Sequence, residues 1–175
     1  MNARRIIILI VLLLALVIGG LIVRSALDQE KALRSRQTDL VDAIERGKWK
    51  TFRKVIDPEY ADSWGYDAET AEQILHTLRQ HFIVLDLAIE APDTATVNAN
   101  GMGSTSFGIT MSGKGTGVAQ QIIQAANTPK EPFTLLWRRD GWTTGWRVIS
   151  VSHPTIQIPG PDVLENATGP GGFLP

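Results

Sequence analysis

Ile83-Val84-Leu85-Asp86-Leu87-Ala88-Ile89-Glu90 is the stretch on which the fold turns. Ile83, Leu85, Leu87 and Ile89 alternate with Val84, Asp86, Ala88 and Glu90, the period of two that a strand shows when one of its faces is buried. Asp86 and Glu90 are thereby directed away from the core. Before this stretch the apolar residues recur at three and four, so the chain changes from helical to extended at about residue 82.

Three helices are expected upstream. Residues 31–46 place Leu33, Leu40, Val41 and Ile44 on one stripe, and Gly47 follows where a helix C-cap belongs. Trp49, Phe52, Val55 and Ile56 continue at a new angle until Asp57-Pro58, because the residue before a proline resists the helical region. Asp67 is placed to cap a third helix carrying Ala71, Ile74, Leu75, Leu78 and Phe82. Downstream, Thr94–Asn98 and Ser106–Met111 read as two strands around an Asn100–Gly103 turn, and Gly113-Lys114-Gly115 reads as another turn. Val118–Ala126 suits a short helix with Val118, Ile122 and Ala126 on one side. Phe133-Leu135-Trp137 and Trp146-Val148-Ser150 then form a hairpin through Asp140-Gly141, a favoured turn pair.

The ends of the chain differ in character. Ile6–Val23 is an apolar run of 18 residues between Arg4-Arg5 and Arg24, about 27 Å long as a helix and close to the ~30 Å hydrocarbon core of a bilayer. A secretory signal peptide is the rival reading, but its apolar region is about 7–15 residues, and the cleavage candidate Val23-Arg24-Ser25 puts an arginine beside the cut. Two arginines before the run and one after it favour a cytoplasmic N-terminus with the domain outside the membrane. The expected organisation is an anchor over 1–27, one domain over 28–154, and a Pro/Gly-rich extended tail over 155–175 carrying an Asn166-Ala167-Thr168 glycosylation triplet.

The sequence has no cysteine, which excludes disulfides, thiolate metal sites and a cysteine nucleophile. A formal net charge of −1 argues against nucleic acid as a partner, whose footprint is a basic patch. The charges are unevenly placed: residues 31–54 hold eight Lys/Arg against three Asp/Glu, and residues 57–93 hold nine Asp/Glu against one arginine. A basic first helix beside a bilayer can meet anionic headgroups at about 1 kcal/mol per cation, although a solvated helix face accounts for the same charges.

Three helices followed by an antiparallel meander resemble the nuclear transport factor 2-like superfamily, also called SnoaL-like or ketosteroid-isomerase-like. The residues carrying the likeness are Asp39-Leu40-Val41-Asp42-Ala43-Ile44-Glu45-Arg46-Gly47-Lys48-Trp49, the Asp57–Trp64 loop, and Trp137-Arg138-Arg139-Asp140-Gly141 with Gly145-Trp146-Arg147-Val148. The resemblance covers about 30–153 and implies an α+β cone: three helices packed on a curved antiparallel sheet, with a pocket between them. Family members use that pocket for catalysis, for binding or only for packing, so the fold does not choose among them. An isomerase of this type implies a carboxylate base with a tyrosine and a protonated aspartate as oxyanion hole. Here the first helix has no tyrosine, and the closing strands offer Leu135, Trp137, Val148 and Ser150 with no carboxylate.

The candidate pocket residues are Trp49, Tyr60, Trp64, Tyr66, His81 and Trp137. A catalytic reading would use His81 or Asp62 as general base and Tyr60 or Tyr66 as hydrogen-bond donor, provided they converge within about 2.6–3.2 Å or through one water. His76 faces away from His81, and no histidine pair has metal-ligand spacing, so no metal or cofactor is expected. Gly108 to Lys114 copies the spacing of a phosphate-binding loop up to its lysine, but Gly115 stands where Ser or Thr must hold Mg²⁺. The expected function is therefore noncatalytic binding of a protein partner, a second copy or a small apolar ligand, with a pocket enzyme acting on a hydrophobic small molecule as the alternative. The layout of one span and one cone domain resembles inner-membrane assembly components of bacterial secretion systems.

Overall fold

The computed structural model describes residues 28–98, 100–140, 145–158 and 160. The expected membrane segment 6–23, the Asn166-Ala167-Thr168 triplet and most of the tail lie outside them. Among the described residues no helix is long and apolar enough to cross a membrane.

Helix α1 covers residues 28–45, and its end is built as its sequence requires. Gly47 has φ of 62°; its N–H donates to Ile44 O (3.2 Å) and the Lys48 N–H donates to Ala43 O (2.7 Å). This pair of bonds is the Schellman motif, which needs a residue tolerant of positive φ. Helix α2 (Trp49–Val55) follows at once. Helix α3 (Ala68–Arg79) is capped by the Asp67 carboxylate, which accepts from Thr70 N at 2.8 Å. Phe82, expected on that helix, instead begins the sheet.

The sheet has four antiparallel strands in the order β1-β2-β3-β4: β1 (Phe82–Val97), β2 (Met102–Gly115), β3 (Phe133–Arg139) and β4 (Trp146–Ser152). Helix α4 (Gly117–Asn127), the short helix expected over Val118–Ala126, lies between β2 and β3 and joins the three expected helices against the sheet among the described residues. The two expected pieces of the first strand are one strand interrupted by a register shift between Glu90 and Thr94. Gly113-Lys114-Gly115 is not a turn: these residues pair with Leu85, Val84 and Phe82. Glycine is required there by close approach, since a Cβ on Gly115 would lie 2.0 Å from His81 O and 2.9 Å from Ala119 Cβ.

Two further departures come from extra residues in the ladder. A shift between Phe82 and Val84 turns Phe82 inward and leaves Ile83 83% exposed, against its expected place in the core. A second shift pairs Leu136 with Ser150 and Leu135 with Val151, so Val151 packs on the core where Ser150 was expected. Bulges reverse the face on which later residues fall, which simple alternation cannot register.

The main core lies between α1, α2 and the sheet and contains Leu33, Leu40, Phe52, Val55, Phe107, Leu135, Trp137 and Val148. A smaller cluster joins Phe82 and Leu85 to Ala119 of α4. Leu87 packs against both clusters, so α4 closes one end of the same sheet face. Trp137 is fully buried and its indole N–H donates to the equally buried Thr105 Oγ1 at 2.9 Å. Trp137→Phe leaves that hydroxyl without its donor and should cost about 1–3 kcal/mol in chemical denaturation. Thr105→Val should then cost less in the Trp137→Phe background than in the wild type; equal costs in both would show that the bond contributes nothing.

Candidate functional site

The face of the sheet turned toward the helices is the place for a pocket, and it is filled. Trp137, Phe107, Leu33, Val55, Val148 and Thr105 are all essentially without exposure. Gly103 admits a close approach: a Cβ there would meet Leu33 Cδ2 at 3.0 Å and Trp146 Cζ3 at 3.2 Å. Gln37, one turn after Leu33 on α1, is buried and was not singled out in the sequence, because a glutamine on an apolar stripe reads as a solvated position. Its Nε2 reaches Asp93 Oδ1 at 3.5 Å, and its Oε1 has no partner among the described residues. Asp93 sits in the irregular stretch of β1 and also holds Arg34.

Four of the anticipated residues do come together, on the loop between α2 and α3. Asp57 stops α2 and sends its N–H to Val148 O (2.9 Å); Ala61 and Ser63 then donate to Ile149 O and Val151 O. The loop thus runs along the free edge of β4. The Asp57 carboxylate, 3% exposed, accepts from Glu59 N (2.9 Å) and Arg138 Nη2 (2.7 Å). Asp62 Oδ1 accepts from the N–H groups of Trp64 (3.0 Å) and Tyr66 (2.8 Å), folding the loop back on itself as aspartates do in turns. Asp62 Oδ2 accepts from the buried Tyr60 hydroxyl at 3.3 Å. Burial above all, then the charge of Asp62 and its hydrogen bond, push the Tyr60 phenol far above its ordinary value.

Trp64 and Tyr66 use their polar tips elsewhere. Trp64 Nε1 donates to Ile156 O (2.8 Å) and the Tyr66 hydroxyl donates to Ile158 O (2.9 Å). His153 fixes the start of this returning segment: its buried ring packs on Phe133 at 4.7 Å, Nδ1 accepts from Thr155 N and Ile156 N, and Nε2 faces Glu131 O at 2.8 Å. The chain beyond Pro154 is therefore tied to the domain as far as Ile158.

His81, Trp49 and Trp137 do not join this loop. His81 marks the turn into β1, where its carbonyl accepts from Thr116 N (3.0 Å) and its Nδ1 lies 3.5 Å from Thr116 Oγ1. Trp49 stacks on His76 with ring centroids 5.3 Å apart. Trp137 is the centre of the core.

A groove of about 600 Å³ opens between α2 and α3, with Phe52 and Ile56 as apolar wall and Asp57, Glu69, Glu72 and His76 among its polar lining. Arg53 on α2 reaches across to Glu72 on α3 through two-pronged contacts, Nε to Oε2 and Nη2 to Oε1, each 2.7 Å. Hydrogen bonding to Glu72, followed by its charge, raises the Arg53 pKa above its ordinary value. The groove was not foreseen. Its signal was the change from a basic to an acidic stretch at residues 54–57, which places opposite charges on two successive helices.

No family model matches the chain, and no curated protein matches it significantly in sequence. Solved structures do match in shape. A proposed aromatic ring hydroxylase from Novosphingobium aromaticivorans superposes with a TM-score of 0.56 at 8% identity, covering 77% of this chain and 94% of that one. A nuclear transport factor 2-like protein from Cytophaga hutchinsonii gives 0.50 at 13% identity, over 71% and 95%. The fold is the nuclear transport factor 2-like fold. Bd1075 of Bdellovibrio bacteriovorus gives 0.54 at 9% identity and covers 70% of this chain, which spans only 40% of Bd1075. At these identities the likeness is one of fold, and this version of the nuclear transport factor 2-like fold has its interior occupied by its own side chains.

Tyr60 gives a pH signature. Because its folded pKa is raised above the ordinary 10.0, its contribution to stability is complete below that value and is lost as the pH rises beyond it. The stability difference between wild type and Tyr60→Phe should therefore move against the wild type from about pH 8 to about pH 11 in urea titrations. A difference that stays flat would mean that the phenol ionises freely in the folded protein.

Proposed function

We propose that this chain is a noncatalytic binding module, held outside the cytoplasmic membrane by the apolar segment 6–23 and serving a protein partner or a small apolar ligand. The filled face of the sheet carries this reading. A pocket enzyme of this fold needs an open interior with a free carboxylate or histidine inside it, and Trp137, Phe107, Leu33 and Val148 occupy that volume. Asp57 is the buried carboxylate among the described residues, and it is engaged by Arg138 and by Glu59 N–H, which leaves it ill placed as a base. His81 and Asp62, the proposed bases, serve different parts of the fold. The aromatic ring hydroxylation suggested for the Novosphingobium protein finds no corresponding open interior here.

The groove between α2 and α3 offers the concave surface for binding, with apolar wall and charged rim as small-molecule and side-chain sites generally have. Gln73, exposed on α3 and lining the groove, is the position at which to block it. Full-length protein extracted from membranes in mild detergent should retain a partner or ligand in native mass spectrometry, and Gln73→Trp should lower its occupancy at least about tenfold, a difference of about 1.4 kcal/mol. A solitary, unliganded monomer under all extraction conditions would count decisively against the proposal. The same spectra test the anchor: the intact mass should be that of the whole chain, whereas a chain starting near Ser25 would make 1–24 a cleaved signal.

A further inference from the structure

The segment after Pro154 is held in an unusual way. None of its backbone bonds among the described residues goes to another backbone group; each runs to a side chain of the domain. Ile156 O and Ile158 O accept from Trp64 Nε1 and the Tyr66 hydroxyl, while Thr155 N and Ile156 N donate to His153 Nδ1. The Thr155 hydroxyl donates to Glu131 Oε2 at 3.2 Å. The two carbonyls are two residues apart and face the same loop, the spacing an extended chain presents on one side. The Ile156 and Ile158 side chains are half-buried.

The donors are prepared independently of the segment they hold. Asp62 Oδ1 sets the backbone of both Trp64 and Tyr66, and the loop is secured to β4 by three backbone bonds. Aromatic side chains that offer N–H and O–H groups to alternate carbonyls, with room for branched aliphatic residues, read extended peptides through main chain and shape. A strand of the sheet, by contrast, would be bonded backbone to backbone.

We propose that Trp64, Tyr66 and His153 form a recognition cradle for an extended segment of another protein, with branched aliphatic residues at alternate positions, and that residues 155–158 occupy it as a built-in competitor. The fit of Ile156-Gln157-Ile158 shows the chemistry the cradle accepts. This inference is independent of the groove between α2 and α3 and of the binding reading attached to it. A tethered competitor acts at a high effective concentration, so a free peptide gains access only in proportion to the fraction of time the segment is away.

The test uses the full chain carrying Ile156→Asp and Ile158→Asp together, with a labelled peptide of the sequence of residues 154–160 as the probe in fluorescence anisotropy. The peptide should bind this variant at least about tenfold more tightly than it binds the wild type. Adding Trp64→Phe or Tyr66→Phe, each of which removes one donor and keeps an aromatic side chain, should weaken that binding, and a scrambled peptide should not bind. Circular dichroism should show the variant folded. Loss of the fold would make 155–158 part of the core and overturn the proposal, as would the absence of saturable binding or binding indifferent to Trp64 and Tyr66. A wild-type dimer that the two aspartates abolish would assign the cradle to the tail of a second copy, and that also overturns it.

Discussion

The buried carboxylate of Asp57 is the constraint on which the arrangement of this protein depends. A charge taken out of water has to be met by donors, and here they come from two directions: Glu59 N–H beside it in sequence and the Arg138 guanidinium from β3. Arg138 also holds Glu59 at 2.8 Å, and its pKa is raised by the hydrogen bonds to Glu59 and Asp57. Because Asp57 precedes a proline, the same residue ends α2. Its N–H then enters the backbone bonds that lay the loop along β4, covering an edge that would otherwise be open to further strands. One residue thus sets the length of α2, closes the sheet and orients the stretch carrying Tyr60, Asp62, Trp64 and Tyr66.

With the loop fixed in this way and Trp137 bonded to Thr105, the side chains of Leu33, Val55, Phe107, Trp137 and Val148 are buried together between α1, α2 and the sheet. The groove between α2 and α3 and the aromatic loop that grips 155–158 lie on either side of Asp57, which lines the first and anchors the second. Many activities are carried by this fold.

Much of this was legible in the sequence wherever the cause was local. Gly47 and Asp67 act on bonds within four residues of themselves, and both ends of helix fell where their chemistry places them. The alternation from Leu85 to Ile89 likewise reports a buried face. Misplaced residues have non-local causes: Ile83 and Ser150 left their expected faces because the partner strand imposes a bulge, and Gly113-Lys114-Gly115 joined β2 because β1 lay alongside to pair with it. Trp64 and Tyr66 were recognisable as a cluster, but a hydrogen bond spanning 92 positions leaves no trace in spacing. Gln37 was invisible for the same reason, since only Asp93, 56 positions away, makes its burial tolerable.

The sequence by itself determined the order of elements, helices before meander, and the caps that begin and end those helices, because backbone preference and hydrophobic period act over a few residues. It also determined the absence of thiol chemistry and the charge contrast between residues 31–54 and 57–93. Only the tertiary structure decided whether the face between helices and sheet would be a chamber or a packed core. That outcome depends on summed side-chain volumes meeting from four separate segments, with Leu33, Phe107, Trp137, Trp146 and Val148 buried together and Leu33 and Trp146 closing on Gly103, and no local pattern encodes a volume shared among residues so far apart.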